Sequence, residues 1–267
     1  MSPAARRRWG QHFLAAPDVA QAIVDWAGVS GKRVLEIGPG RGALTDHLLD
    51  HAAFVRAVEI DPSLAESLRD RHASARCRLE IVVGDVLAFP TEALLEPDMS
   101  VVANLPYESA TAIIRKLLAA KAPATDIVVM VQREVCQRLT AKPGDGHYGL
   151  LAIHTALRAD VEPGRVVPPG CFRPPPRVDS QLVRLRPLKA LRYDVGTEAL
   201  FSELVAAAFG QRRKMLRNTL LPRVAAHVGP EIAAELLAAA GIPPSARPET
   251  VSLASFAGLS TSLHARL

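Results

Sequence analysis

The residues best placed to do chemistry in this sequence are Asn104-Leu105-Pro106-Tyr107, which follow the apolar run Val101 to Ala103 and precede a helical pattern. At a strand exit, an amide, a rigid proline and an aromatic ring can form a pocket for a planar base that carries an amine. The same four residues equally suit a strand-to-helix turn with a buried tyrosine, and the tetrapeptide alone does not separate the two.

Gly38-Pro39-Gly40-Arg41-Gly42 also follows a strand pattern and opens a helix, so its backbone can bend sharply and admit a ligand where a Cβ would collide. Read with Ala43 it satisfies a dinucleotide spacing, and Glu59 stands where a ribose-binding acid would, about twenty residues on. A nicotinamide-dependent oxidoreductase is therefore one reading. Glu36, two residues before Gly38, favours a different adenosyl cofactor, S-adenosyl-L-methionine. Its carboxylate is a candidate for ordering the glycine loop or holding a methionine ammonium, against the plainer alternative of a solvated acid at a strand edge. Glu59 would accept hydrogen bonds from both ribose hydroxyls, leaving the helix N-cap to Asp61 before Pro62. Asp85 would accept an adenine amine, with Val86 beside the ring. Acids at the ends of consecutive parallel strands converge on the carboxyl edge of the sheet, where ligands bind.

Alternating patterns supply the elements to position these groups. Val19, Ala22, Ile23 and Trp26 predict a helix, Val34 to Ile37 a strand, Leu44, Leu48 and Leu49 a helix, and Phe54 to Ile60 the next strand. Leu64 and Leu68, then Leu79 to Val83, repeat the unit. Val101 to Ala103, the helix carrying Ala110, Ile113, Ile114, Leu117 and Leu118, and the strand Ile127 to Val131 complete it. Continuous apolar strands between amphipathic helices indicate an α/β fold with a parallel sheet covered on both faces. After Gly149 the prolines Pro163, Pro168, Pro169 and Pro174 to Pro176 predict loop and edge strand, with Gln181 to Arg186 as a last strand. Beyond Pro187 the pattern is helical: Phe201, Leu204, Val205 and Ala208 lie on one face, a second helix starts at Gln211, and Ile232 to Ala240 and Leu253 to Leu259 make two more.

At 267 residues, with 49% hydrophobic and 22% charged, the chain can bury an α/β core plus a small appendage and is not of disordered composition. The net charge of +5, carried mostly by arginine, suits a polyanionic partner without requiring one. Cys77, Cys136 and Cys171 are far apart and form no metal-ligand spacing, so reduced thiols and no metal are expected. Arg6 to Arg8 are followed by Trp9-Gly10-Gln11-His12 rather than an apolar stretch, so neither a secretory signal nor a membrane span is expected, and the expected compartment is the cytoplasm.

Together these segments resemble the bacterial small-subunit branch of the ribosomal RNA adenine N6-dimethyltransferase family. The resemblance spans nearly the whole chain: Gly10 to Leu14, Glu36 to Gly42, Glu59 to Asp61, Gly84-Asp85, Asn104 to Tyr107, Gln132 to Glu134 and Ala141 to Gly144. Phe172 to Ser180 and Gln211 to Lys214 with Leu216 to Asn218 separate this branch from the large-subunit one. Glu108 and His12 depart from the family, which often has Asn at both positions.

The resemblance implies a Rossmann-like class I methyltransferase with a mostly parallel seven-stranded sheet over residues 1–188 and an all-helical domain over 189–267 that contributes to rRNA binding. It implies that His12, Leu14, Gly38, Gly40, Glu59, Asp85 and Asn104 bind S-adenosyl-L-methionine. It further implies, for a monomer, dimethylation of two adjacent adenosines near the 3′ end of 16S rRNA in an immature small ribosomal subunit. In that chemistry the Asn104 side-chain oxygen and the Leu105 carbonyl would accept the two N6 hydrogens while Tyr107 stacks on the flipped base. Phe172 would cover the other face, or else anchor the core beneath its loop. Arg212, Arg213, Lys214 and Arg217, with Met215, Leu216 and Leu220 turned inward, would grip rRNA phosphates or form a solvated helix face. A factor acting mainly by binding assembling subunits is a second reading. The oxidoreductase ranks below both, since it leaves Asn104 to Tyr107 without a role, and a DNA adenine methyltransferase ranks lower still.

Overall fold

A computed structural model describes residues 12–211 and 213–267; expectations for Arg6 to Arg8, Gly10, Gln11 and Arg212 lie outside these residues. The chain divides into two compact units, residues 1–136 with 160–187, and residues 137–159 with 188–267. In the C-terminal half the two units meet in sequence between residues 187 and 188. The segment 137–159, expected in the catalytic domain, instead groups with the C-terminal helices.

In the first unit, β2 (Arg33–Ile37), β3 (Phe54–Glu59), β4 (Leu79–Val83), β5 (Ser100–Asn104), β6 (Ile127–Gln132), β7 (Ala159–Val167) and β9 (Ser180–Pro187) form one sheet in the order β4-β3-β2-β5-β6-β9-β7. The first five are parallel and β9 runs antiparallel to β6. Parallel neighbours need crossovers, and α1 (Pro17–Ala27), α2 (Ala43–His51), α3 (Pro62–Arg71) and α5 (Ala110–Leu118) flank these strands. Both faces are thereby covered, which is why β5 and β6 are nearly uninterrupted apolar runs with Val101 to Ala103 and Ile127 to Val131 fully buried.

β2 pairs with β3 on one side and β5 on the other, so chain order reverses between β2 and β5. A crevice opens at such a reversal, outside the carboxyl ends of the strands. Ile37, Glu59, Val83 and Asn104, the last residues of four adjacent strands, all end on that edge.

Two segments form a separate ribbon: β1 (Phe13–Leu14) pairs antiparallel with β8 (Phe172–Arg173), setting Leu14 opposite Phe172. The prolines after Gly149 predicted loop and edge strand, yet α7 (Leu150–Arg158) comes first, preceded by α4 (Thr91–Leu94) and α6 (Arg133–Thr140) along the chain. Ile153 and Leu157, four apart, face the same core in α7. The C-terminal helices α8 (Glu198–Phe209), α9 (Leu220–Val228), α10 (Pro230–Ala239) and α11 (Leu253–His264) fall where the periodicity puts them, except that α9 starts nine residues after Gln211. Phe201, Leu204, Val205 and Ala208 are buried together with Phe256 and Leu237. No described helix is long and apolar enough to cross a membrane.

Candidate active site

At the carboxyl edge of β2 to β5 lies a cavity of about 320 Å³, in the size range of small-molecule sites. Its floor is the glycine loop. Gly38, Gly40 and Gly42 all have positive φ (+67°, +57° and +79°), a left-handed conformation open to glycine at little cost. A Cβ on Gly40 would meet the Phe13 ring at 2.9 Å, and one on Gly38 would face the Asn104 carbonyl oxygen at 3.9 Å. The loop is thus a cradle that side chains would fill.

Glu36 braces this loop from below. Its Oε2 accepts the Thr45 hydroxyl at 2.7 Å, joining the end of β2 to the first turn of α2. Its Oε1 is buried with no hydrogen-bond partner among the described residues. Burial pushes the carboxyl up to about 8, against the lowering effect of the Thr45 bond. Glu36 is therefore no solvated strand-edge acid: it lines the cavity with one polar atom unsatisfied, which fits a ligand that carries a donor.

Glu59, at the end of β3, accepts the Gly40 amide on Oε2 and the Asp61 amide on Oε1, both at 2.9 Å. Burial raises its pKa and these amides oppose the rise. Each oxygen keeps a further lone pair, so the carboxylate faces the cavity as a fixed acceptor. Asp61 caps α3 by accepting the Ser63 amide at 2.9 Å, as its position before Pro62 predicts. Asp85 accepts the Leu87 amide on Oδ1 at 2.8 Å and lines the cavity beside the buried Val86.

Opposite these acids stands the tetrapeptide. Asn104 Nδ2 donates to the His12 carbonyl at 3.3 Å. A carbonyl only accepts, so this bond fixes the amide nitrogen towards His12 and leaves Oδ1 as an acceptor. Leu105 is anchored by its amide to the Met130 carbonyl at 3.1 Å and is buried. The Tyr107 hydroxyl lies 2.7 Å from the Ser180 hydroxyl. Its ring centroid is 5.4 Å from that of His12, whose Nδ1 donates to the Pro174 carbonyl at 2.8 Å.

The cavity thus brings together His12, Leu14, Glu36, Gly38, Gly40, Glu59, Asp85, Val86, Asn104, Leu105, Pro106 and Tyr107. Phe172 is a correction: its ring is fully buried in the core with Leu14, Val19 and Ile23, and it is absent from the cavity lining. Paired opposite Leu14, it is the anchor beneath its loop, and stacking on a ligand would require it to leave the core. Arg213, Lys214 and Arg217 are exposed in the second unit, while Leu216 and Leu220 are buried as expected. They lie on a turn and a 3₁₀ segment, Leu216–Asn218, rather than on a helix. Sequence reasoning missed Thr45, which pairs with Glu36 across the glycine loop, Ser180, whose partner Tyr107 is distant in the chain, and Ile60 and Ile113, which read simply as core residues.

The ribosomal RNA adenine dimethylase family matches residues 3–256. A protein of Aromatoleum aromaticum, ribosomal RNA small subunit methyltransferase A, is 44% identical over 81% of each chain. The protein of the same name in Ruegeria is 42% identical over 97% of this chain and 92% of its own. A dimethyladenosine transferase from Plasmodium falciparum superposes with a TM-score of 0.80 at 26% identity, covering 93% of this chain and 96% of its own. A class I methyltransferase sheet, a glycine cradle ringed by strand-end acids and an Asn-Leu-Pro-Tyr exit thus coincide with a match over nearly the full length, and the chain belongs to the ribosomal RNA adenine dimethylase family.

Proposed function

We propose that this protein transfers methyl groups from S-adenosyl-L-methionine to N6 of two adjacent adenosines in the 3′-terminal hairpin loop of 16S rRNA. It would do so as a cytoplasmic monomer acting on an immature small ribosomal subunit. The observation that carries the reading is the orientation of Asn104, whose amide nitrogen is occupied by the His12 carbonyl so that Oδ1 is left to accept a hydrogen at the cavity. The small-subunit methyltransferase names of the relatives support the choice of RNA.

When bound, S-adenosyl-L-methionine supplies a positively charged sulfonium whose methyl carbon is electrophilic without a metal. Glu59 would hold its ribose hydroxyls, Asp85 its adenine amine beside Val86, and Glu36 Oε1 its ammonium, the arriving cation favouring loss of the proton that burial retains on Glu36. The backbones of Gly38 and Gly40, with His12 and Leu14, would line the remainder.

The substrate nitrogen is the difficult partner, because its lone pair is delocalised into the adenine ring. If Asn104 Oδ1 and the Leu105 carbonyl accept its two hydrogens, the pair is localised and the nitrogen is aimed. Orientation of this kind is worth on the order of 7 to 11 kcal/mol in the best-aligned cases. Tyr107 offers a ring face to a flipped base, offsetting part of an unstacking cost of a few kcal/mol.

Asn104→Ala should abolish methyl transfer to small-subunit particles while calorimetry still detects cofactor binding; near-normal turnover would overturn the reading. Mass spectrometry of rRNA from a strain lacking the protein, before and after incubation with it and the methyl donor, tests the sites themselves. Exposed Arg213, Lys214 and Arg217 favour a second role in binding assembling subunits. Under that role a strain carrying the inactive Asn104 variant should differ in subunit profile from a deletion strain.

A further inference from the structure

We propose that Ser180 is a positioning residue that fixes Tyr107, and that this hold governs the second methyl transfer to an adenine more than the first. The proposal rests on the N6-dimethylation reading above. Ser180 is fully buried at the start of β9, opposite Gln132 of β6, so its hydroxyl is carried by the sheet rather than by a loop. That hydroxyl lies 2.7 Å from the Tyr107 hydroxyl. At its other side the Tyr107 ring meets the His12 imidazole, which is itself tied to the Pro174 carbonyl. Both holds therefore lead to the 174–180 stretch, and Tyr107 is fixed from outside its own loop.

The consequence follows from counting hydrogens on the substrate. In each transfer the N6 lone pair forms the new N–C bond and the methyl–sulfur bond of S-adenosyl-L-methionine breaks with its electron pair remaining on sulfur. The cationic nitrogen then gives one proton to water. The first transfer begins with two N6 hydrogens, matching the two acceptors offered by Asn104 and Leu105. The second begins with one, so an acceptor is left without its partner and the base depends more on its ring contact. A Tyr107 free to move disturbs the step that has fewer hydrogen bonds to correct it.

Ser180→Ala removes this hold without altering a residue of the cavity lining. Small-subunit particles lacking the modification are reacted under single-turnover conditions, and N6-monomethyl- and N6,N6-dimethyladenosine are quantified over time by mass spectrometry. The expected result is a first-step rate within about twofold of wild type and a second-step rate lowered at least about fivefold, with cofactor affinity unchanged by calorimetry. Monomethyladenosine then accumulates. Tyr107→Phe deletes the same bond from the other side, and adding Ser180→Ala to it should change the ratio of the two rates no further. Should Ser180→Ala not fold, Ser180→Cys, close in size but a far weaker hydrogen-bonding partner, carries the test alone. Equal slowing of both steps, or an unchanged product ratio, overturns the proposal. Failure of the wild-type protein to methylate the particles at all overturns the underlying reading instead.

Discussion

Glu36 places an almost fully buried carboxyl at the wall of the cavity, with the Thr45 hydroxyl on one oxygen and no partner among the described residues on the other. Burial is the largest cause of its rise to about 8 from an ordinary 4.5. The folded protein therefore holds a proton between about pH 4.5 and about pH 8 that the unfolded chain has released. Where the native state binds more protons, stability falls as pH rises, so Glu36 lowers the unfolding free energy progressively across that window. The slope it adds is at most about 1.4 kcal/mol per pH unit. Other groups titrate as well, and Glu36→Gln isolates its share. The stability of that variant relative to wild type should climb with pH through the window, whatever constant offset the amide introduces. Urea unfolding of both proteins at several pH values measures it, and a flat difference would show that Glu36 is already ionised in the fold. The sequence marked Glu36 as a candidate through its spacing from Gly38, and the fold sets it in the cavity lining. It could not show that Thr45, nine residues on, would satisfy only half of it.

The segment from Arg213 to Thr219 shows how pattern and structure part company within one element. Leu216 and Leu220 recur at helical spacing and both are buried, so the inward face was legible. The helix itself begins only at Leu220, because the preceding backbone bonds elsewhere: Leu216 donates to the Ala246 carbonyl and Arg217 to the Pro244 carbonyl, each at 2.9 Å. Those partners lie some thirty residues downstream, beyond the reach of any local pattern. Arg213, Lys214 and Arg217 consequently project from a short exposed segment and not from one helix stripe. If they meet rRNA phosphates, replacing all three by Ala should weaken binding to small-subunit particles. It should also flatten the dependence of log K on log salt by about 0.7 to 0.9 for each phosphate that the variant no longer neutralises. Filter binding across a salt series checks this, and an unchanged slope would remove the turn from the interface.

For the whole molecule, the sheet was legible because parallel strands covered on both faces announce themselves as apolar runs, and the second unit because apolar residues such as Phe201, Leu204, Val205 and Ala208 recur at helical spacing. The membership of residues 137–159 was not, since what holds them is distant in sequence. The Tyr148 hydroxyl donates to the Val251 carbonyl at 3.0 Å, Arg158 pairs with Glu198, and the Gly144 amide donates to the Glu249 carbonyl at 2.7 Å. Tyr148, Ile153 and Leu157 are buried in one core with Phe201, Leu204 and Phe256. A chain ended at Pro187 would keep every strand of the sheet but strip these three residues of that core, each side chain forfeiting roughly 1.5 to 3 kcal/mol of burial. Such a truncation should bind a hydrophobic dye and self-associate in size-exclusion chromatography. Replacing Tyr148, Ile153 and Leu157 by Ser in the truncated chain should reduce both effects, because the exposed surface would then be polar. A truncated chain that stays monodisperse and dye-free with its apolar residues intact would mean that residues 137–159 find their burial within the first unit, and that the division of the fold lies near residue 188 after all.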